Sequence, residues 1–382
     1  MTTQTTAARL RAWLRSLRRI TTSGRYFPEI DGLRFVAIFS VVFFHVYAQT
    51  RKEAPLPPVL DTFISHGDRG VRLFFAISGF ILALPFCAQF HGAHRKVDLK
   101  RYFLRRLTRL EPPYLLSLVA AALMEVAFKH QLFDLLWPHL LASALYLHNL
   151  IYGTMSVINS VAWSLEVEVQ FYCVLPLLVW IFALRPHWLR WSVLAVTICA
   201  VGMLDLTLTS ARLQNSLVNY LPYFLAGLLL ADVYTISWAK IPAGWWWDAM
   251  AVPLWVLIFY APAWWLGFVI PVLIFFAYLA SLKSRYLSLL LRRPLVTVLG
   301  GACYSIYLVH FLIIGFAFHA TRHIAVTASP TAYYFIQASL LIPISVLCGM
   351  IYYALIEQPC MYPDWPQRLL ATLTTLLPTS AI

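Results

Sequence analysis

The sequence predicts an all-α fold, a polytopic membrane helix bundle of about ten transmembrane helices with one interfacial or re-entrant segment. Three observations carry that prediction. The 382 residues are 61% hydrophobic and only 12% charged, with a mean hydropathy of +0.73, a composition that a water-soluble chain of this length could not keep off its surface. Apolar stretches long enough to cross a bilayer recur along the whole chain. The basic residues also partition unevenly between alternate loops, as they do in proteins that hold Lys and Arg on the inner side of a membrane.

Taken in order, the first 30 residues carry Arg9, Arg11, Arg15, Arg18, Arg19 and Arg25. They lack a short apolar core followed by a small-residue cleavage site, so 1–30 reads as a basic cytoplasmic tail and not as a signal peptide. Spans are expected near 31–50, 71–90, 112–128, 161–184, 190–209, 217–235, 246–262, 263–281, 295–318 and 331–356. An eleventh apolar segment, about 135–152, is interrupted by Pro138, His139, His148 and Asn149. If that segment does not cross, 22 of the 29 Lys and Arg fall on inner segments and 7 on outer ones. A full crossing would throw the basic clusters at 185–190 and 282–294 outside, against the positive-inside tendency. The segment is therefore read as interfacial or re-entrant, which non-helical backbone tolerates only under cover of protein or water. One transmembrane domain, 31–358, and a cytoplasmic tail, 359–382, complete the chain. Both termini then face the cytoplasm, the expected location is the cell (inner) membrane, and no internal repeat is visible.

Composition also excludes function classes. The net charge of +13 suggests a nucleic-acid partner, but basic inner loops produce the same excess, so the lipid bilayer is the expected partner and nucleic acid is not. Six cysteines (Cys87, Cys173, Cys199, Cys303, Cys348, Cys360) occur without CxxC pairs, mostly in apolar runs. They read as packing residues, with no disulfide framework and no metal site.

Ionisable residues within spans are costly unless they face the bundle interior, so they mark where chemistry would lie. The first span reads "RFVAIFSVVFFH" from Arg34 to His45. Eleven positions are about three helical turns, which puts both side chains on one face, ~16 Å apart. Asp31 lies fourteen residues before His45, about 40° off that stripe. The plainer alternative is a histidine satisfied by a neighbouring helix and an arginine anchoring the membrane edge. In "RYFLRRLTRLEPPY", Arg101, Arg105 and Arg109 recur at i+4, with Arg106 three before Arg109, and Pro112 and Pro113 open the next span. A stop-transfer cluster or a lipid-headgroup patch would account for Lys96 and Lys100. A ridge of guanidinium groups is better matched to a cytosolic, phosphate-bearing donor. Glu166 and Glu168 in "WSLEVEVQFY" are ~200° apart on a helix, so only one of them serves the interior. "CYSIYLVH" places Tyr304, Tyr307 and His310 on one face, and "LIEQP" closes the last span with Glu357. Aromatic-belt roles are the bland account of the tyrosines. Ala76, Ser78 and Gly79 in "FFAISGF" lack a GxSxG context and read as close helix packing.

In order, "EIDGLRFVAIFSVVFFH", "GVRLFFAISGFIL", "RYFLRRLTRLEPPY", "WSLEVEVQFY", "YSIYLVH" and "IEQP" resemble the signature segments of the acyltransferase-3 family of integral membrane O-acyltransferases, over residues 29 to 359. The resemblance implies about ten core helices and transfer of an acyl group, most often acetyl from acetyl-coenzyme A, to hydroxyls of envelope carbohydrates such as O-antigen, exopolysaccharide or peptidoglycan. Some relatives acylate antibiotics or other small glycosylated molecules. It places the family's arginine, ten residues, histidine motif on Arg34 and His45, and its paired arginines on Arg106 and Arg109. The family glutamate falls on Glu168, which leaves Glu166 as an extra, and Glu357 matches the terminal glutamate before a proline. The sequence departs at Arg72, where family members often carry an acidic residue. Some relatives have a C-terminal esterase-like domain, and a chain ending at Ile382 is expected to be the stand-alone form.

On that basis the expected catalytic residues are His45, Glu168 and Arg34, and the expected donor-phosphate ligands are Arg105, Arg106 and Arg109. Asp31, Tyr307, His310 and Glu357 are further candidates. His45 would act as general base on an acceptor hydroxyl, with Glu168 or Asp31 orienting its ring. Direct transfer and an acyl-enzyme on Tyr307, Ser305 or His45 both stay open. The acceptor is expected to be a carbohydrate and the donor acetyl-CoA, with no metal. The competing class is a transporter or flippase of a glycan or lipid-linked glycan, which would also carry buried His and Glu; duplicated halves would favour it, and none is present. A sensory or scaffold protein would leave the intramembrane charges unexplained.

Overall fold

The computed structural model describes residues 16–20, 26–53, 55–92, 96–130, 132–324, 329–362, 364, 365 and 367. Arg9, Arg11, Arg15 and Arg25 of the expected basic tail, with Arg368 and the chain end, lie outside the described residues.

Proline opens several helices, because its missing N–H is one that the first turn could not pair in any case. α1 (Pro28–Thr50), α11 (Pro294–Gly301) and α13 (Pro330–Tyr352) begin this way. Between them run α2 (Gly70–Phe90), α3 (Leu99–Lys129), α4 (Phe133–Ala144), α5 (His148–Tyr152), α6 (Trp163–Leu178) and α7 (His187–Leu204). α8 (Leu217–Ile236), α9 (Trp246–Tyr260), α10 (Val269–Lys283) and α12 (Cys303–Thr321) complete the bundle. Among the described residues there is no strand, and eight helical stretches are long and apolar enough to cross a membrane.

Two of the ten expected spans differ in kind. α9 and α10 have 15 residues each, about 22 Å, which falls short of a ~30 Å hydrocarbon core. The connector between them carries Pro262 and Gly267, which end one helix and delay the next. Instead of spanning alone, this hairpin is tied to the bundle by Arg69. That side chain is 1% exposed and donates to the carbonyls of Ile258 (2.5 Å) and Ala261 (2.6 Å), satisfying the open end of α9. The expected span 295–318 is broken at Ala302, after the Gly300–Gly301 pair.

The segment 133–162 doubles back on the bundle, as an interfacial or re-entrant segment would. α4 folds back along α3: Tyr114 donates its hydroxyl to the Ser143 carbonyl (2.9 Å) and stacks on Tyr146 with centroids 4.8 Å apart. Tyr114 is the middle residue of α3, so α4 ends halfway along its neighbour. The chain then turns through α5 and enters α6, making no separate crossing there. Glu166, 1% exposed, fixes that turn by accepting the Asn149 amide at 2.8 Å. Glu166→Ala would leave a buried amide without an acceptor, at a cost of about 1–3 kcal/mol. A lowered melting temperature in detergent, with the protein still monodisperse, is the expected measurement.

α1 runs along the seam between two apolar clusters. Ile30, Leu33 and Ala37 pack with α2, α6 and α8, whereas Ile38, Val42 and Val46 pack with α3, α12 and α13. α2 and α8 touch backbone to backbone. A Cβ on Gly79 would lie 2.2 Å from the Phe224 carbonyl oxygen, and one on Gly227 2.2 Å from that of Ala76. Small residues of this kind let membrane helices approach closely. Gly79→Ala is therefore expected to push the helices apart, costing about 1–3 kcal/mol and lowering the melting temperature of the purified protein. Outside the bundle, Leu123 (64% exposed), Leu177 (71%) and Leu347 (62%) stand free, which suits hydrocarbon and not water.

Candidate functional site

α1 is unbroken from Pro28 to Thr50, so Arg34 and His45 keep the three-turn relation their spacing implies. Buried Asp31 pairs with Arg34 at 2.6 Å, one turn away. It cannot also orient His45, because fourteen residues of helix put it about 21 Å along the axis. Glu168, the other carboxylate expected beside His45, is half-buried on α6 and accepts the Ser78 hydroxyl at 2.6 Å. Neither carboxylate is bonded to His45: Asp31 holds Arg34 and Glu168 holds Ser78, although Leu165 and Val169 of α6 share an apolar cluster with the C-terminal half of α1.

The partner of His45 is another histidine. His310 Nε2 lies 3.1 Å from His45 Nδ1, with ring centroids 4.9 Å apart. The bond network assigns the protons. His310 Nδ1 faces the carbonyls of Tyr307 (2.8 Å) and Ile306 (3.2 Å), two acceptors, so it carries the hydrogen. Neutral His310 then presents an acceptor at Nε2. His45 Nδ1 therefore sits between that acceptor and the Val41 carbonyl (3.0 Å) and must itself be N–H. The lone pair of His45 is left on Nε2, the nitrogen a general base needs. His310 is fully buried and His45 half-buried, so the orienting ring is sealed and the oriented one accessible. Tyr307, one turn earlier, bonds the Val161 carbonyl and the Ser164 hydroxyl, the latter at 3.0 Å, which locks α12 to the start of α6.

The arginine cluster lies near the other end of α1. Arg106 packs flat on Tyr102, with its guanidinium carbon 3.6 Å from the ring centroid and 5.5 Å from that of Tyr172. Arg109 reaches Glu357 at 3.4 Å. Glu357 is fully buried and is held by the Ser305 amide (3.1 Å) and hydroxyl (2.6 Å). The Nε–H groups of Arg106 and Arg109 are withdrawn from solvent without an acceptor among the described residues. Arg105 stands apart from them. It is exposed and turns its Nε back to the Arg101 carbonyl at 3.1 Å, off the face that Arg106 and Arg109 share. Arg72, the departure noted in the sequence, pairs with Asp68 at 2.7 Å.

Three contributors escaped sequence reasoning: Tyr102 and Tyr172, neither of which entered as a site residue, and Arg19, one tail charge among six; His310 was among the candidates. An aromatic residue four before a buried arginine is the signal that would have found Tyr102. Ring nitrogens poised for proton transfer at one level, and unsatisfied guanidinium groups at another, are what an enzyme needs to pass a group from an anionic carrier to a hydroxyl.

Comparison with known proteins identifies a family. Residues 27–353 match the family model Acyl_transf_3, described as an acyltransferase domain. The O-acetyltransferase OatA of Staphylococcus aureus strain NCTC 8325 is 26% identical over 227 residues, 56% of this chain and 35% of that protein. The peptidoglycan O-acetyltransferase OatA of Listeria monocytogenes is 28% identical over 170 residues, 42% of this chain and 25% of that protein. A protein of S. aureus strain COL, named provisionally as an O-acetyltransferase, is 24% identical over 378 residues, 88% of this chain and 57% of its own. The chain thus aligns with about a third of the length of the first of these relatives. No solved structure matches.

Proposed function

Because the chain belongs to the acyltransferase-3 family, we propose that it is an integral membrane O-acetyltransferase. It moves acetyl from cytosolic acetyl-coenzyme A to a hydroxyl of an envelope or exported carbohydrate, O-antigen, exopolysaccharide or a similar glycan. It works in the cell (inner) membrane with both termini cytoplasmic. The observation that carries this reading is the bare Nε2 of His45, three turns along α1 from Arg34, together with the unsatisfied guanidinium groups of Arg106 and Arg109 on α3.

In this mechanism the donor's phosphates rest on Arg106 and Arg109, and its pantetheine arm rises past Arg34. Arg34 is fixed by Asp31 and so stays aligned with the stripe. His45 Nε2 takes the proton of the acceptor hydroxyl as its oxygen attacks the thioester carbonyl. The resulting oxyanion collapses, the carbon–sulfur bond breaks, and the imidazolium returns the proton to the departing thiolate. While the ring is charged, His45 Nδ1–H donates to His310 Nε2, which spreads the positive charge without a carboxylate. Glu168 accepts from Ser78, and its part in this reading is to position α6 against α2.

Membranes holding the protein, supplied with radiolabelled acetyl-coenzyme A, are expected to pass label to a glycan fraction. A transporter or flippase would acquire no label while its glycan still crossed, and that outcome would reject the proposal. Sugar analysis of cells with and without the gene identifies the acetylated hydroxyl.

A further inference from the structure

The segment 16–20 lies ahead of the residues that the family model matches, yet it is built into the arginine cluster. Gln358 donates to the Ser16 carbonyl at 2.6 Å, tying the segment to the far end of the chain. The Cβ of Arg19 lies 3.4 Å from where a side chain on Gly301 would start, so the segment crosses the break between α11 and α12. From there Arg19 points at the cluster: its guanidinium is 3.8 Å from Asp31, which also holds Arg34. Its Nε–H, like those of Arg106 and Arg109, is withdrawn from solvent with no acceptor among the described residues.

We infer that Arg19 completes an anion site at this end of the bundle, binding a phosphate of the nucleotide acyl donor together with Arg109 and Arg106. The inference rests on the donor reading above and adds a residue outside the family domain to it. The charge balance supports it. Arg19, Arg34, Arg106 and Arg109 face three carboxylates, Asp31, Glu357 and, acting on Arg34 and Arg106, Glu168, so one guanidinium is in excess. The surplus is positive and inward-facing. Burial first, and then the like charges of Arg109 and Arg34, pull Arg19 below the ordinary arginine pKa. A bound phosphate would reverse the repulsion and supply the acceptors that the three Nε–H groups lack. Arginine suits this role because its planar fork engages two phosphate oxygens at once.

The test is binding of free coenzyme A, and separately of pantetheine, which has no nucleotide phosphates, to the full-length protein in lipid nanodiscs. Arg19→Gln is expected to weaken coenzyme A by about tenfold or more, as loss of a charged hydrogen bond does. It should leave pantetheine unchanged, and Arg19→Lys should recover part of the loss. Three results overturn the inference. If Arg19→Gln binds coenzyme A as the wild type does while Arg106→Ala does not, Arg19 is no ligand and the donor reading survives. If Arg19→Gln loses both probes and thermal stability together, Arg19 is only structural. If the wild type itself shows no preference for coenzyme A over pantetheine, the donor reading fails and this inference with it.

Discussion

His45→Ala is expected to lower acetyl transfer by roughly two to four orders of magnitude, the usual contribution of a positioned general base, while the protein still accumulates in the membrane. The ring is half-buried at a helix seam, so its removal leaves a modest void and no unpaired charge. Its partner His310 would lose one hydrogen bond at Nε2 but keep those at Nδ1. The companion variant separates base from orienter. His310→Phe keeps the shape and removes the acceptor that faces His45 Nδ1. It should lower kcat while leaving KM for the donor near the wild-type value, because nothing at the arginine cluster has changed. Label transfer measured across a range of acetyl-coenzyme A concentrations reads both. Transfer by His45→Ala at the wild-type rate would remove the proposed base.

Arg106→Ala and Arg109→Ala are expected to act on the other parameter. Each removes charged donors at the proposed phosphate site, where one such bond is worth about 1.5–3 kcal/mol, so KM for acetyl-coenzyme A should rise roughly 10- to 100-fold. At saturating donor the rate should recover much of its wild-type value. Arg106→Lys should rescue little. An ammonium cannot lie flat on Tyr102 as the guanidinium does at 3.6 Å, and it loses the fork that would grip two oxygens. Arg109→Ala carries an additional cost, because Glu357 would then be a fully buried carboxylate held only by Ser305. A melting temperature measured beside the kinetics separates the two effects. Equal losses of kcat at all donor concentrations would argue against phosphate binding.

Which parts of this molecule could be read from the sequence follows from the range of each signal. The Arg34–His45 stripe was legible because it depends only on one helix staying intact, and Pro28–Thr50 does. The re-entrant segment was legible through the parity of basic loops, although two of the charges counted there report nothing about loops. Arg69 and Arg190 are each 1% exposed, one capping α9 and the other paired with buried Asp232 at 2.8 Å. What could not be read was which helix faces which. The residue bonded to His45 is His310 of α12 and not a carboxylate, because Glu168 on α6 is turned to Ser78 and Asp31 is held by Arg34. Where Arg105 would turn was hidden for the same reason. The i+4 row through Arg101, Arg105 and Arg109 and the i+3 pair of Arg106 and Arg109 are both regular, and only packing on Tyr102 and Glu357 selects the second. The short hairpin of α9 and α10 needed the end of each helix to be known to within a turn.

The α4 segment seated on Tyr114 bears on the proposed reaction in another way. A protein in which two water-borne reactants approach from opposite compartments offers protons and ions the same route, and a transmembrane potential would drain through any continuous file of water. Ser143 and Tyr146 close against the middle of α3, and Tyr307 clasps the chain at Val161 and Ser164. Under the proposed function, one stretch of backbone would serve both the barrier and the chemistry.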